Sequence, residues 1–128
     1  MRTALRAHEN PALDAALRAG EALGIPVFVY QGLSERYPHA SVRHHTFILE
    51  GARDAQQQLR ARGIGTAFHL ERPHHRGAHL VSLGERAALI ITEDLPVPPL
   101  MGWTRRLSER TSTPVWVCLL YTSDAADE

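Results

Sequence analysis

The chain has 128 residues, 44% of them hydrophobic and 22% charged, with 14 basic and 14 acidic side chains and a formal net charge of zero. That length suits one domain around one core, and the composition excludes a disordered chain. No apolar run reaches the ~18 residues of a membrane span. The opening residues are followed by charged and polar ones rather than an apolar core, which excludes a secretory leader, and the lone Cys118 excludes a disulfide framework and the common structural zinc sites. The cytoplasm is the expected location.

The first helix opens at Asn10 and Pro11, a natural N-cap followed by a residue suited to the first helical position. Leu13, Ala16, Leu17 and Leu23 give it an apolar stripe, and Gly24 ends it. Residues 25–30 then read as a buried strand. Phe47, Ile48, Ala52, Ala55 and Leu59 repeat at helical spacing up to Gly63, and residues 64–70 follow as a second strand. A weaker helix near residues 77–86 leads to a strand over 87–92. A last helix, over about 102–110, leads to a strand at 115–117.

Short, continuously apolar strands fit a sheet covered on both faces. Alternating helices and strands with right-handed crossovers predict an α/β fold: an open, parallel, Rossmann-like sheet with helices on both faces. One strand is missing from the pattern. Such a sheet begins with a strand that feeds the first helix and lies centrally in a doubly wound order. Arg2, Arg6, His8 and Glu9 make the stretch before Asn10 a poor buried strand. Its loss exposes the edges of two neighbours, so the chain is expected to start inside a longer protein.

The last eleven residues, 118–128, depart from the Arg-, Ala-, Leu- and Pro-rich composition that runs to Val117. They resemble the in-frame translation of a transposon-derived sequencing adapter, which sets the domain at residues 1–117. Without Asp124, Asp127 and Glu128 the acidic count falls from 14 to 11 against 14 basic residues, a net charge of +3. That is too mild to argue for nucleic-acid binding.

Four motifs in order carry a family resemblance. Arg6-Ala7-His8-Glu9-Asn10-Pro11-Ala12-Leu13 resembles the Arg-x-x-Asp-Asn-Pro-Ala-Leu signature of DNA photolyases and cryptochromes, with Glu9 in place of Asp. Tyr37, Pro38, Ala40, Arg43, His44, Phe47, Glu50 and Gly51 are spaced as in the Tyr-Pro-x-Ala-x-x-Arg-His-x-x-Phe-x-x-Glu-Gly stretch of class II-type photolyases. Arg62-Gly63-Ile64 is similar to the family's entry to its next strand. Thr92-Glu93-Asp94, Pro99-Leu100 and Trp103 resemble its fourth-strand exit and the helix beyond. The resemblance covers residues 1–117.

It implies a protein of two parts. An N-terminal α/β domain holds, in some members, a folate or deazaflavin antenna, and a C-terminal helical domain holds FAD and damaged DNA. The implied activity is that of a deoxyribodipyrimidine photolyase, in which excited reduced flavin lends an electron to a pyrimidine dimer that splits and returns it. With the helical domain absent, the chain alone is expected to be inactive. The alternatives are a cryptochrome-like blue-light receptor and a free-standing nucleotide-binding α/β module. The last needs a Gly-rich phosphate loop after a late strand, and the sequence has none.

Ligands of open parallel sheets sit beyond the carboxyl ends of the strands. The candidates there are Arg6 and Asn10 in the first loop, Tyr30 and Gln31 after one strand, and Glu93 and Asp94 after another. The resemblance makes these six the expected antenna contacts. Each competes with a plainer role: Asn10 as a helix cap, Glu93 and Asp94 as turn residues before Pro96. His75 and His79 have the i, i+4 spacing of a metal clamp, but Gly77 lies between them and no Glu accompanies them, so no metal is expected. His44 and His45 are expected to cap or pack at a helix start, and Arg43 to form an exposed ion pair with Glu50 or Glu35. Trp103 and Trp116 read as core or domain-interface side chains. No Gly-x-Ser-x-Gly or Walker loop is present, so no catalytic residue is assigned.

Overall fold

The computed structural model describes residues 5–36, 41–75, 77–94 and 98–119. Helices and strands alternate as α1 (Pro11–Leu23), β1 (Phe28–Ser34), α2 (Val42–Ala61), β2 (Gly65–Glu71), α3 (His79–Gly84), β3 (Ile90–Asp94), α4 (Leu100–Arg110) and β4 (Val115–Leu119). The architecture is α/β, Rossmann-like, with parallel strands, as the alternation predicts.

Local chemistry sets the boundaries. Leu13 N–H donates to the Asn10 side-chain oxygen at 3.2 Å, which starts α1. Gly24 takes φ 67° and ends the helix, where the Gly24 and Ile25 amides close on the Glu21 and Gly20 carbonyls. With the Ile25 amide spent there, and Pro26 lacking one, pairing starts at Phe28 rather than at residue 25. β1 then continues past Tyr30, because Gly32 and Leu33 stay in register with His69 and Leu70. Ser41 caps α2 by accepting the His44 N–H at 3.1 Å, so this helix starts five residues before Phe47.

β1 pairs with β2 in parallel, Phe28 opposite Gly65 through Ser34 opposite Glu71. β3 pairs with β4 in parallel, Ile90 opposite Val115 through Asp94 opposite Leu119. β4 therefore takes in Cys118 and Leu119, two residues beyond the expected strand end. These pairs form two separate two-stranded sheets. Among the described residues no strand joins them and none precedes α1.

The core is small. Leu59, 1% exposed, packs with Ala7, Leu13 and Ile64, and Leu17, Val27 and Val29 close around them. Arg62 ties the entering chain to this cluster by donating to the Ala7 carbonyl. The expectation of strands buried on both faces is not met: Phe28 of β1 is 53% exposed and Trp116 of β4 is 60% exposed. Among the described residues each half-sheet has both of its outer pairing edges open, and the six-residue α3 is too short to cover much of a face. Among the described residues no helix is long and apolar enough to cross a membrane.

Candidate functional site

Arg6 and Asn10 are bound to each other before α1. Asn10 is 1% exposed, its amide nitrogen donates to the Arg6 carbonyl at 3.2 Å, and the exposed Arg6 guanidinium donates to the Glu9 carbonyl at 2.9 Å. Asn10 thus does serve as the helix cap. Tyr30 and Gln31 lie within β1 rather than after it, and strand alternation sends their side chains to opposite faces. Gln31 is buried. The Tyr30 hydroxyl is held above its ordinary range, first by burial and then by the neighbouring Glu71 carboxylate.

Glu93 and Asp94 are the last residues of β3, in register with Cys118 and Leu119. They are not turn residues, and Glu93 is buried beside the equally buried Thr92. Four of the six candidates therefore occupy the last part or middle of β1 and β3, one strand from each half-sheet. The structure does not gather all six around one cavity.

A cleft of about 390 Å³ takes in only Tyr30 from that set. Phe28 and Tyr30 of β1, His69 of β2, His79 and Ser82 of α3, and Arg86 line it. The His69 and His79 rings lie 4.4 Å apart, tilted by 53°, and His69 Nε2 is buried without a hydrogen-bond partner among the described residues. Its aromatic faces and nitrogen donors make a surface on which a ligand can stack. Sequence reasoning missed this cleft. Phe28 and Tyr30 alternate along one strand, as do Ala67 and His69 along the next, but only the strand register shows that the two pairs are neighbours.

The remaining expectations divide. His75 bridges to Arg72 outside any helix while His79 begins α3, so the i, i+4 clamp does not form. Among the described residues no three or more His, Cys, Asp or Glu are grouped to hold a metal. At the start of α2 the cap is Ser41, which accepts the His44 N–H, and the His44 and His45 rings lie 6.3 Å apart. Glu35 meets Arg72 at 3.9 Å instead of Arg43. Trp103 and Trp116 are exposed, which removes the core reading for both.

Parallel strands joined by helices, with polar residues buried on β1 and β3, define a Rossmann-like α/β domain. The DNA photolyase family model matches residues 1–111, and the chain belongs to that family. It is 33% identical over 93 residues to the deoxyribodipyrimidine photo-lyase of Methanothermobacter thermautotrophicus, covering 73% of this chain. The match takes in 20% of that relative, so the chain spans about a fifth of its length. In shape it is similar to the universal stress protein of Archaeoglobus fulgidus solved in complex with dAMP, at 16% identity, TM-score 0.54 and 87% coverage of both chains. A universal stress family protein from Burkholderia pseudomallei gives 24% identity, TM-score 0.48 and coverage of 84% and 83%. The first of these is a likeness of fold alone.

Proposed function

We propose that the chain is the N-terminal α/β part of a class II-type deoxyribodipyrimidine photolyase, a lyase that splits pyrimidine dimers in DNA with light. The observation that carries this reading is the family match over residues 1–111, joined to 33% identity with a protein of that name. FAD is the group such a lyase uses, and when bound it supplies the light-driven electron. The described residues do not fit it. The cleft, at about 390 Å³, stands near the low end of small-molecule pockets (~300–1,000 Å³), and Phe28 on its wall is half open to solvent. Flavin and damaged DNA therefore belong to polypeptide beyond these residues, and the 128-residue chain is inactive alone.

An antenna, folate or deazaflavin, is the ligand this part would hold. Gln31 and Glu93, buried polar residues on β1 and β3, support that placement, with Tyr30 and Asp94 beside them and Arg6 and Asn10 at the start of α1. The free-standing nucleotide-binding module has only a fold likeness behind it.

The test is the longer protein encoded around this sequence, purified and illuminated with DNA containing pyrimidine dimers. Light-dependent loss of dimers together with flavin absorption is expected, and a second absorption band reports the antenna. Flavin without repair moves the reading to a blue-light receptor. Absence of flavin overturns it.

A further inference from the structure

The cleft between α3 and the β1–β2 pair has a floor that two glycines flatten. A Cβ on Gly65 would stand 3.1 Å from the Phe28 ring, and one on Gly32 would stand 3.4 Å from the Tyr30 hydroxyl oxygen. With only hydrogen at both positions, the two aromatic rings lie down along the sheet, where a strand glycine allows close approach. Val27 and Val29 pack into the core cluster on the opposite face, so this aromatic floor takes no part in the core.

α3 forms the other wall. His79 and Ser82, three residues apart, share the side of the helix that meets the floor, and Arg86 follows just past its end. The His69–His79 contact fixes the start of α3 at one end of the cleft. Six helical residues at ~1.5 Å each then place Arg86 roughly 9 Å away. The two ends differ in charge. Arg86 is the one guanidinium lining the cleft, and no carboxylate among the described residues pairs with it. At the other end His69 Nε2 is buried without a hydrogen-bond partner among the described residues, and Glu71 follows His69 on the same face of β2.

We propose that the cleft binds a small aromatic acid, a single planar ring with a carboxylate at the Arg86 end and a hydroxyl at the His69 end. Phe28 and Tyr30 offer the ring two aromatic faces. The Arg86 fork donates to the carboxylate in paired hydrogen bonds, and the Ser82 hydroxyl is a further donor. The ligand's hydroxyl pairs with His69 Nε2 once the exposed His79 ring turns aside, which removes an unsatisfied buried nitrogen. A monoanion matches one guanidinium, and Glu71 keeps its charge away from the histidine end. The site does not rest on the proposed function. It lies on the face of β1 opposite Gln31 and on the other half-sheet from Glu93.

The test is equilibrium dialysis of the 128-residue chain against 4-hydroxybenzoate, with phenol and benzoate as probes that each lack one end. Saturable binding of one 4-hydroxybenzoate per chain in the millimolar range or below is expected, with phenol and benzoate each weaker by about tenfold. Arg86→Gln is expected to weaken 4-hydroxybenzoate by at least about tenfold and Arg86→Lys by less, since lysine lacks the fork. Phe28→Ala, at a half-exposed position, and Ser82→Ala, at an exposed one, are expected to weaken it too, whereas Arg106→Gln on α4 leaves it unchanged. Absence of saturable binding overturns the proposal. So does binding of phenol or benzoate as tight as that of 4-hydroxybenzoate, or indifference to Arg86→Gln, which is what uptake by self-associated chain would give. If Phe28→Ala fails to fold, by circular dichroism, the Arg86 and Ser82 variants decide. The readout needs neither flavin nor light, so it stands apart from any failure of repair.

Discussion

Asn10 uses both ends of its amide, accepting from the Leu13 N–H and donating to the Arg6 carbonyl, with its side chain out of water. Asn10→Ala removes the cap and strands those backbone groups, and is expected to cost about 1 kcal/mol of stability. Asn10→Asp keeps the acceptor and is expected to lose less. Denaturant midpoints of the three chains, read at equal slope, check this. Tyr30 offers a second test. Its folded-state pKa lies above the ordinary value of 10.0, so between the two values the unfolded chain releases its proton first. Stability contributed by the neutral phenol is complete below pH 10 and declines as pH rises from there toward the folded value. Ultraviolet titration of a chain with Tyr37 and Tyr121 replaced by Phe is expected to show late ionisation, brought earlier by Glu71→Gln. A midpoint at or below that of free tyrosine contradicts the burial of Tyr30.

At the scale of elements, the turn from α1 into β1 shows how tightly a helix and strand can be joined. A Cβ on Gly20 would lie 2.8 Å from Val27 Cγ2 and 2.9 Å from the Ile25 carbonyl oxygen. Gly20→Ala is therefore expected to destabilise by about 1–3 kcal/mol, despite the higher helix propensity of Ala. A thermal midpoint unchanged or raised would show that the contact gives way. Leu59, the most buried large apolar side chain, is expected to cost about 2–5 kcal/mol when cut to Ala, enough to melt a core of this size at room temperature. The elements themselves were legible in the sequence, because Asn10, Gly24 and Gly63 punctuate the apolar runs. Their edges were less so. β1 reaches Ser34 and β3 reaches Asp94 by pairing with residues distant in the chain, which no local pattern at Gln31-Gly32 or Glu93 reveals. For the same reason Gln31, Glu93 and Asp94 were placed beyond the strand ends although they are strand residues, and Tyr30 was taken as the end of a strand that runs on to Ser34. The His69–His79 contact was hidden because it depends on where α3 begins.

For the molecule as a whole, the apolar surface is large for so small a core. Phe28, Phe47, Trp103, Trp116 and Leu119 are all exposed, a pattern that marks surfaces covered by other polypeptide. The 128-residue chain alone is expected to self-associate and to melt over a broad range, which sizing chromatography and calorimetry will show; a monomer with one sharp transition contradicts this. The most direct measurement of the account is flavin content per chain, taken on the purified 128-residue protein and on the longer protein side by side. The account predicts no bound flavin on the first and one per chain on the second. One flavin per chain on the 128-residue protein by itself would contradict it.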